Sequence, residues 1–88
     1  MNIFIGRLSN ETCEKDLYLL FKEYGYVNKC YLVRDKIGKR SRGYAYIIMS
    51  NQHEAENAIQ NLNNYELNGE LMMVKPARKG EIRFIREE

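Results

Sequence analysis

The sequence has 88 residues, which is room for one domain with a modest core, and its hydrophobic content of 44% and charged content of 30% are those of a globular chain rather than a disordered one. No apolar run approaches the roughly 20 residues of a transmembrane helix, and the N-terminal residues lack the basic-then-apolar layout of a secretory signal, so we expect a soluble cytoplasmic protein that does not bind membranes. The net charge of +2 is too small to indicate nucleic-acid binding by itself, so only its distribution along the chain is informative.

The first predicted element is a strand. Residues 2–7 alternate, with Ile3 and Ile5 on one side and Asn2 and Phe4 on the other, which is the period of a strand. If the isoleucines face the core, Phe4 lies on the opposite, open face of the sheet.

A helix is predicted after this strand. Thr12 is the candidate N-cap, and Glu14 and Asp16 would occupy the first turn, where the helix dipole favours acids. Gly25 is typical of the residue after a helix end. The apolar residues between these limits recur at helical spacing, at Leu17, Leu20, Phe21 and Tyr24. We interpret this stripe as the face that packs on the core.

A second strand is predicted over residues 26–34. Cys30 and Leu32 alternate inward, which places Tyr31 on the same open face as Phe4. The other side chains expected to point outward are Lys29 and Val33.

A polar loop over residues 35–41 joins this strand to the next as a hairpin, with Gly38 at its turn. The stretch that includes this loop has Asp35 as its only acid, and its basic residues are Arg34, Lys36, Lys39, Arg40 and Arg42. A basic edge opposite an acidic first helix is the polarity expected of a phosphate-binding face. A solubility role for a charged loop is the alternative.

Residues 42–49 read as the third strand. Tyr44 and Tyr46, with Ile48, fall on one side, and small or aliphatic residues fall on the other. The aliphatic side should face the core, which leaves the two tyrosines exposed beside Arg42. An exposed aromatic pair next to a cation is a stacking surface for bases, whereas ordinary packing with a hydrated hydroxyl is the alternative for tyrosines in a strand.

The second helix begins after the cap Ser50–Asn51, and its inner face is the stripe Ala55, Ala58, Ile59 and Leu62. Asn68–Gly69 then predicts a hairpin turn that leads into the last strand, residues 70–75. Met72 and Val74 should point inward and Lys75 outward, and Pro76 ends the strand.

The order strand, helix, strand, strand, helix, strand predicts an α+β, ferredoxin-like split βαβ fold (β-α-β-β-α-β), with a four-stranded antiparallel sheet and two helices packed on one face. The other face of the sheet is left free. We assign residues 1–77 to this domain and residues 78–88 to a charged C-terminal tail.

The chain closely resembles the RNA recognition motif family. Residues 42–49 are similar to the family's long ribonucleoprotein motif at every position but the last, where Met49 replaces an aromatic residue. Residues 3–8 are similar to its short motif, with Arg7 in place of a common asparagine. The resemblance covers residues 2–77.

The resemblance implies the roles of the site residues. Phe4 and Tyr46 match positions that stack under bases, Tyr44 matches the aromatic that packs against sugars, and Arg42 matches a cation that contacts a phosphate. The other candidate RNA-binding residues lie on the same face or in the basic loop: Asn2, Lys29, Tyr31, Lys39, Arg40 and Lys75.

The expected function is binding of single-stranded RNA by a monomer that acts as a post-transcriptional regulator or RNA chaperone. Single-stranded DNA is a second candidate ligand, because the preference for RNA depends on the family resemblance alone. The alternative is a protein-interaction domain that uses its helix face, around Tyr18 and Leu19, or a sheet covered by its tail. The tail contains the apolar residues Ile82, Phe84 and Ile85, which either cross the sheet or belong to a disordered segment.

We do not expect an enzyme, a cofactor or a metal site. His53 lies among polar residues on the exposed side of the second helix, so a solvated histidine is expected rather than a general base. Cys13 and Cys30 lack metal-ligand spacing, and they are too few for a disulfide framework.

Overall fold

The computed structural model describes residues 1–81. Within this range the secondary-structure elements, in chain order, are β1 (Asn2–Gly6), α1 (Glu14–Phe21), β2 (Lys29–Arg34), β3 (Ser41–Ile48), α2 (Gln52–Leu62), β4 (Glu66–Leu67), β5 (Glu70–Leu71) and β6 (Met73–Pro76). Within residues 1–81, neither α1 nor α2 has the length and apolar character of a membrane-spanning helix.

The main sheet is antiparallel and has the strand order β2-β3-β1-β6. The two strands with the aromatic motifs, β1 and β3, are therefore its central pair. Ile3 lies opposite Ile47 and Ile5 lies opposite Ala45, so their buried side chains share one face. The predicted α+β split βαβ fold is confirmed.

Both helices pack on that buried face. The sheet contributes Ile3, Ile5, Leu32, Ala45, Ile47 and Val74 to the core, and the helices contribute Leu17, Phe21, Ala55, Ala58 and Leu62. Fully burying one large aliphatic or aromatic side chain contributes about 1.5–3 kcal/mol, so this single layer between sheet and helices supplies most of the stabilisation. Met49 is fully buried, which confirms that the exceptional residue of the long motif faces the core.

The N-cap of α1 is Cys13, and the prediction of Thr12 is wrong. The backbone N–H of Cys13 donates to Oδ2 of Asp16 at 3.1 Å. Thr12 is buried, and its hydroxyl oxygen accepts a 2.9 Å hydrogen bond from the side-chain amide of Asn68. The threonine hydroxyl therefore holds the β4–β5 turn instead of capping the helix. The predicted cap of α2 is confirmed, since the side chain of Asn51 accepts from the backbone N–H of Glu54.

The strand limits differ from the sequence predictions at several points. β1 ends at Gly6 because Arg7 has φ 59°, a left-handed conformation that breaks the strand. β2 begins at Lys29 rather than at Tyr26, and the side chain of Asn28, just before the strand, accepts a hydrogen bond from the backbone N–H of Ser50. The Asn68–Gly69 hairpin forms, but β4 and β5 pair in a separate two-stranded sheet, and only β6 joins the main sheet.

Candidate nucleic-acid interface

Three aromatic side chains form a cluster on the face of the sheet opposite the helices. The ring centroids of Phe4 on β1 and of Tyr44 and Tyr46 on β3 lie between 5.7 and 6.2 Å apart. The Phe4 and Tyr44 rings are inclined by 34°, whereas Tyr46 meets both edge-on. Aromatic pairs favour such tilted and edge contacts over direct stacking on each other. We call these three residues the aromatic cluster.

The strand register extends the aromatic cluster into a row across the whole sheet. Tyr31 of β2 lies opposite Tyr46, Tyr46 lies opposite Phe4, and Phe4 lies opposite Lys75 of β6. The Nζ atom of Lys75 is 5.4 Å from the centroid of the Phe4 ring, which is within the range of a cation–π contact. One side chain from each strand of the main sheet therefore contributes to a single strip of three rings and a cation.

Gly6 provides the space in which the Phe4 ring lies. A Cβ atom at this position would be 2.9 Å from Cε2 and 3.1 Å from Cζ of Phe4. Carbon atoms in ordinary contact are about 3.5–4.0 Å apart, so any side chain at this position would displace the ring. Gly6, the glycine of the short motif, thus allows the Phe4 ring to lie close to the sheet.

The prediction that Tyr46 stands exposed is wrong, because only 5% of its surface is accessible. Its hydroxyl donates a 2.6 Å hydrogen bond to Oε2 of Glu81, and Oε1 of the same carboxylate accepts from the backbone N–H of Arg78 at 2.7 Å. Phe4 and Tyr44 are half-buried and keep part of their rings accessible. Two of the three residues of the aromatic cluster are therefore available to a ligand in this arrangement.

Residues 77–81, which we call the C-terminal turn, bring the carboxylate of Glu81 to the hydroxyl of Tyr46. The backbone N–H of Ala77 donates to the carbonyl of Asn2 at 2.8 Å and extends the pairing of β6 with β1. Gly80 has φ 81°, which favours glycine, and the N–H of Glu81 returns to the carbonyl of Arg78 at 3.0 Å. The predicted boundary at residue 77 stays a prediction. The apolar residues predicted in the tail lie outside the described chain: Ile82, Phe84 and Ile85.

The hydrogen bond between Tyr46 and Glu81 shifts the pKa values of the two groups apart. Burial, the hydrogen bond to Glu81 and the negative charge of Glu81 raise the pKa of the Tyr46 hydroxyl. The same hydrogen bond lowers the pKa of Glu81, and the backbone N–H of Arg78 and the charges of Arg78 and Lys75 lower it further. At neutral pH the pair is therefore a neutral hydroxyl donor and a carboxylate acceptor.

A cavity of about 350 Å³ lies between the C-terminal turn and the sheet. Its lining consists of Phe4, Lys75, Arg78, Lys79 and Glu81. The ring can stack on the base of a nucleotide, the three cations can contact its phosphate, and the carboxylate can accept hydrogen bonds from the edge of the base. The sequence interpretation assigns the last three of these residues to the tail and misses them. One feature of the sequence could have pointed to these residues. A buried tyrosine hydroxyl usually has a hydrogen-bond partner, so a buried Tyr46 implies a polar group from elsewhere in the chain.

The predicted basic residues of the loop lie before β3. Lys39 and Arg40 are exposed in the loop, and Arg42 is exposed on β3 two residues before Tyr44. The loop is closed by two backbone hydrogen bonds between Asp35 and the residues at its far side, Lys39 N–H to Asp35 O at 2.8 Å and Asp35 N–H to Arg40 O at 2.7 Å. The loop is therefore a defined turn that presents its cations beside the Tyr44 end of the aromatic cluster.

Arg34 differs from the other basic residues of this stretch. Its Nη2 atom lies 2.7 Å from Oε1 of Glu14, so it forms an ion pair with α1. Arg34 thus belongs to the helix side of the molecule. The basic edge next to the aromatic cluster begins after it.

The remaining predicted site residues, Asn2 and Lys29, lie at the other end of the open face. Both have Ile48 as their register partner, one from β1 and one from β2. Lys29 is exposed and Asn2 is half-buried. The structure therefore brings Tyr31, Tyr46, Phe4 and Lys75 into one row with Tyr44 beside it, and it places the other predicted residues towards the two ends of β3.

Comparison with known proteins identifies the fold. A model of the RNA recognition motif family matches residues 3–73. The chain belongs to the RNA recognition motif family. It is 35% identical over 80 residues to the chloroplastic 31 kDa ribonucleoprotein of Nicotiana sylvestris, and this match covers 90% of the chain and 25% of the relative. The chain thus spans about a quarter of the length of that protein.

Two solved structures show the same architecture. The crystal structure of RNA Binding Protein PG1 superposes with a TM-score of 0.85 at 35% identity and covers 88% of this chain and 93% of that one. A Sxl-lethal protein/RNA complex has a TM-score of 0.86 at 29% identity, with coverage of 90% and 47%. Membership of this family confirms the predicted fold and the prediction of a binding domain rather than an enzyme. His53 is exposed on α2, as expected.

Proposed function

We propose that the protein binds single-stranded RNA on the open face of its sheet. The observation that supports this most strongly is the row Tyr31–Tyr46–Phe4–Lys75, in which the register joins aromatic rings from three strands to a cation from the fourth. Exposed rings beside cations bind single strands because every base has a face that can stack. The family and its RNA-bound structural neighbour support the same ligand.

Binding would begin on the accessible part of the aromatic cluster. Phe4 and Tyr44 offer ring faces to a base and to the adjoining sugar, and each stacked base contributes roughly 1–3 kcal/mol. Tyr46 offers little ring surface to a base in this arrangement, because only 5% of its surface is accessible. Tyr31 extends the stacking surface on β2.

Cations at both ends of the face would hold the RNA backbone. Arg42, Lys39 and Arg40 lie at the loop end, while Lys29 lies at the other end and Asn2 offers a neutral amide there. Phosphate contacts of this kind carry little sequence information, and they make binding weaker as salt increases. The cations thus set affinity and orientation, while selectivity comes from contacts to base edges.

A domain of this size acts by occupying its target, which fits a regulator or chaperone of transcripts that binds as a monomer. Single-stranded DNA remains a candidate ligand, because stacking and phosphate contacts do not distinguish the two polymers. The cytoplasmic location and the alternative use of the helix face stay predictions.

The test is a titration of short, randomised single-stranded RNA by fluorescence anisotropy at two salt concentrations. A Phe4→Ala/Tyr44→Ala double variant should lose most of the affinity while its thermal unfolding stays cooperative. Tyr26→Ala is the matched control, because Tyr26 is 71% exposed and lies outside the sheet. If the double variant binds as tightly as the wild type, the open face is not the binding site.

A further inference from the structure

The carboxylate of Glu81 lies on a face that we propose binds phosphates, and a negative charge is unexpected there. Glu81 lies among Lys75, Arg78 and Lys79 at the cavity wall, and it reaches the aromatic cluster through Tyr46. A negative charge at this position weakens phosphate binding, because like charges repel. Its position therefore favours a contact with a group that donates hydrogen bonds.

Glu81 has unused hydrogen-bonding capacity. An ionised carboxylate has about four acceptor sites on its two oxygens. Oε2 accepts from the Tyr46 hydroxyl and Oε1 accepts from the Arg78 backbone N–H. Each oxygen therefore retains an acceptor site, while the two existing hydrogen bonds hold the carboxylate in place. At neutral pH the carboxylate is ionised and accepts but does not donate, and its lowered pKa, caused first by the Tyr46 hydrogen bond, extends this state to lower pH.

The cavity provides the place for a base. The Phe4 ring and the side chains of the C-terminal turn line this cavity, whose volume is about 350 Å³. If a base stacks on Phe4 in this space, Glu81 is the lining residue that can accept hydrogen bonds from the base edge, and Lys75, Arg78 or Lys79 can contact the adjoining phosphate. The lining therefore contains a partner for each part of one nucleotide.

The chemistry of the base edge then determines which base fits. Guanine presents two neighbouring donors, N1–H and the N2 amino group, which match the two oxygens of a carboxylate. Adenine and cytosine present an amino group next to a ring-nitrogen acceptor. Uracil presents a single N–H between two carbonyl oxygens, and a carboxylate repels those oxygens.

We propose that this cavity is a guanine-selective subsite, in which the base stacks on Phe4 and the carboxylate of Glu81 accepts hydrogen bonds from N1–H and N2–H. The inference deepens the proposed function and rests on it, since the subsite belongs to the same RNA-binding face. A good two-bond pair to a base edge discriminates by roughly 5- to 100-fold.

The experiment compares the RNAs UUUUU, UUGUU, UUAUU and UUCUU by fluorescence anisotropy with the full chain. The wild type should bind UUGUU roughly 5- to 100-fold more tightly than UUUUU. Inosine at the central position keeps N1–H and lacks the N2 amino group, so it should bind with intermediate affinity. Glu81→Gln should reduce the guanine preference to about twofold or less, since one of the paired acceptors becomes a donor.

Two further variants separate base recognition from a general effect of the C-terminal turn. Glu66→Gln removes an exposed carboxylate from β4, away from the main sheet, and should leave the guanine preference unchanged. Tyr46→Phe removes one of the two hydrogen bonds that hold the Glu81 carboxylate but keeps the carboxylate itself, so the preference should weaken and still exceed that of Glu81→Gln. If Glu66→Gln abolishes the preference as completely as Glu81→Gln does, a change in overall charge is responsible and the subsite is refuted.

The results also separate this inference from the proposed function. Equal affinity of the wild type for all four RNAs, or a guanine preference that survives Glu81→Gln, overturns the subsite and leaves RNA binding intact. Failure of the wild type to bind any of the RNAs overturns both proposals.

Discussion

Substitution of Gly6 by alanine tests how closely the sheet positions the Phe4 ring. The added Cβ would lie 2.9 Å from Cε2 of Phe4, and its nearest other neighbour is Cβ of Met73 at an ordinary 3.9 Å. The Phe4 ring must therefore retreat by roughly 0.6 Å or more to reach a normal contact distance. No backbone atom is within 4 Å among the nearest contacts, so the change falls on the ring of a residue proposed to stack on a base.

The expected effect of Gly6→Ala is on binding rather than on stability. A stacked base contributes roughly 1–3 kcal/mol, and partial loss of one such contact weakens RNA binding by about 3- to 10-fold. The free energy of unfolding should change by less than about 1 kcal/mol, because alanine restricts the unfolded chain and offsets part of the strain.

Fluorescence anisotropy measures the affinity of Gly6→Ala for RNA, and urea denaturation measures its stability. Gly38→Ala is the control, since its Cβ would meet its nearest neighbours at 3.6 Å or more. Wild-type affinity in a stably folded Gly6→Ala variant would refute the reasoning, because it would mean that the position of the Phe4 ring does not matter for binding.

Three other predictions concern the same structure. Gly43 has φ 85°, so Gly43→Ala should lower the free energy of unfolding in urea by about 1–2 kcal/mol, and an unchanged value would contradict the assigned backbone conformation. The pKa of Glu81 is lower in the folded protein than in the unfolded chain. The ionised carboxylate therefore contributes fully to the free energy of unfolding above its ordinary pKa of about 4.3, and this contribution is lost as pH falls through the lower pKa of the folded protein. The stability advantage of the wild type over Glu81→Gln should therefore be present at pH 7 and shrink below about pH 4, whereas an advantage independent of pH would argue against the Tyr46 contact. Burial, followed by the charge of Glu14, raises the pKa of the Cys30 thiol to about 12, so a thiolate-specific reagent at pH 8 should modify Cys13 and leave Cys30 unmodified in the folded protein.

The fold follows from short-range patterns in the sequence. Alternation separates Ile3 and Ile5 from Phe4 on β1, and the same period separates Ala45 and Ile47 from Tyr44 on β3. Successive residues of a strand point to opposite faces of the sheet, so the position of a residue in the alternating pattern predicts which face its side chain lies on. The composition of the open face was predictable for this reason.

The long-range contacts of polar side chains were not predictable in the same way. The hydroxyl of Tyr46 bonds to Glu81, which lies 35 residues later in the sequence, and alternation carries no information on such a contact. The capping prediction fails for a similar reason, because the hydroxyl of Thr12 bonds to Asn68, 56 residues away. The predicted basic stretch includes Arg34, whose charge is paired with Glu14 on a helix that only the fold brings close. In each case a polar side chain has several local partners available, and tertiary packing selects a distant one.

Chemical-shift mapping tests the central claim most directly. Isotope-labelled protein is titrated with a short single-stranded RNA, and backbone and aromatic-ring resonances are followed. We predict that the largest changes occur on the open face and at its loop edge, at Phe4, Tyr44, Tyr31 and Arg42. Changes confined to the exposed residues of α1, Tyr18 and Leu19, would contradict the account and assign the binding surface to the helix side.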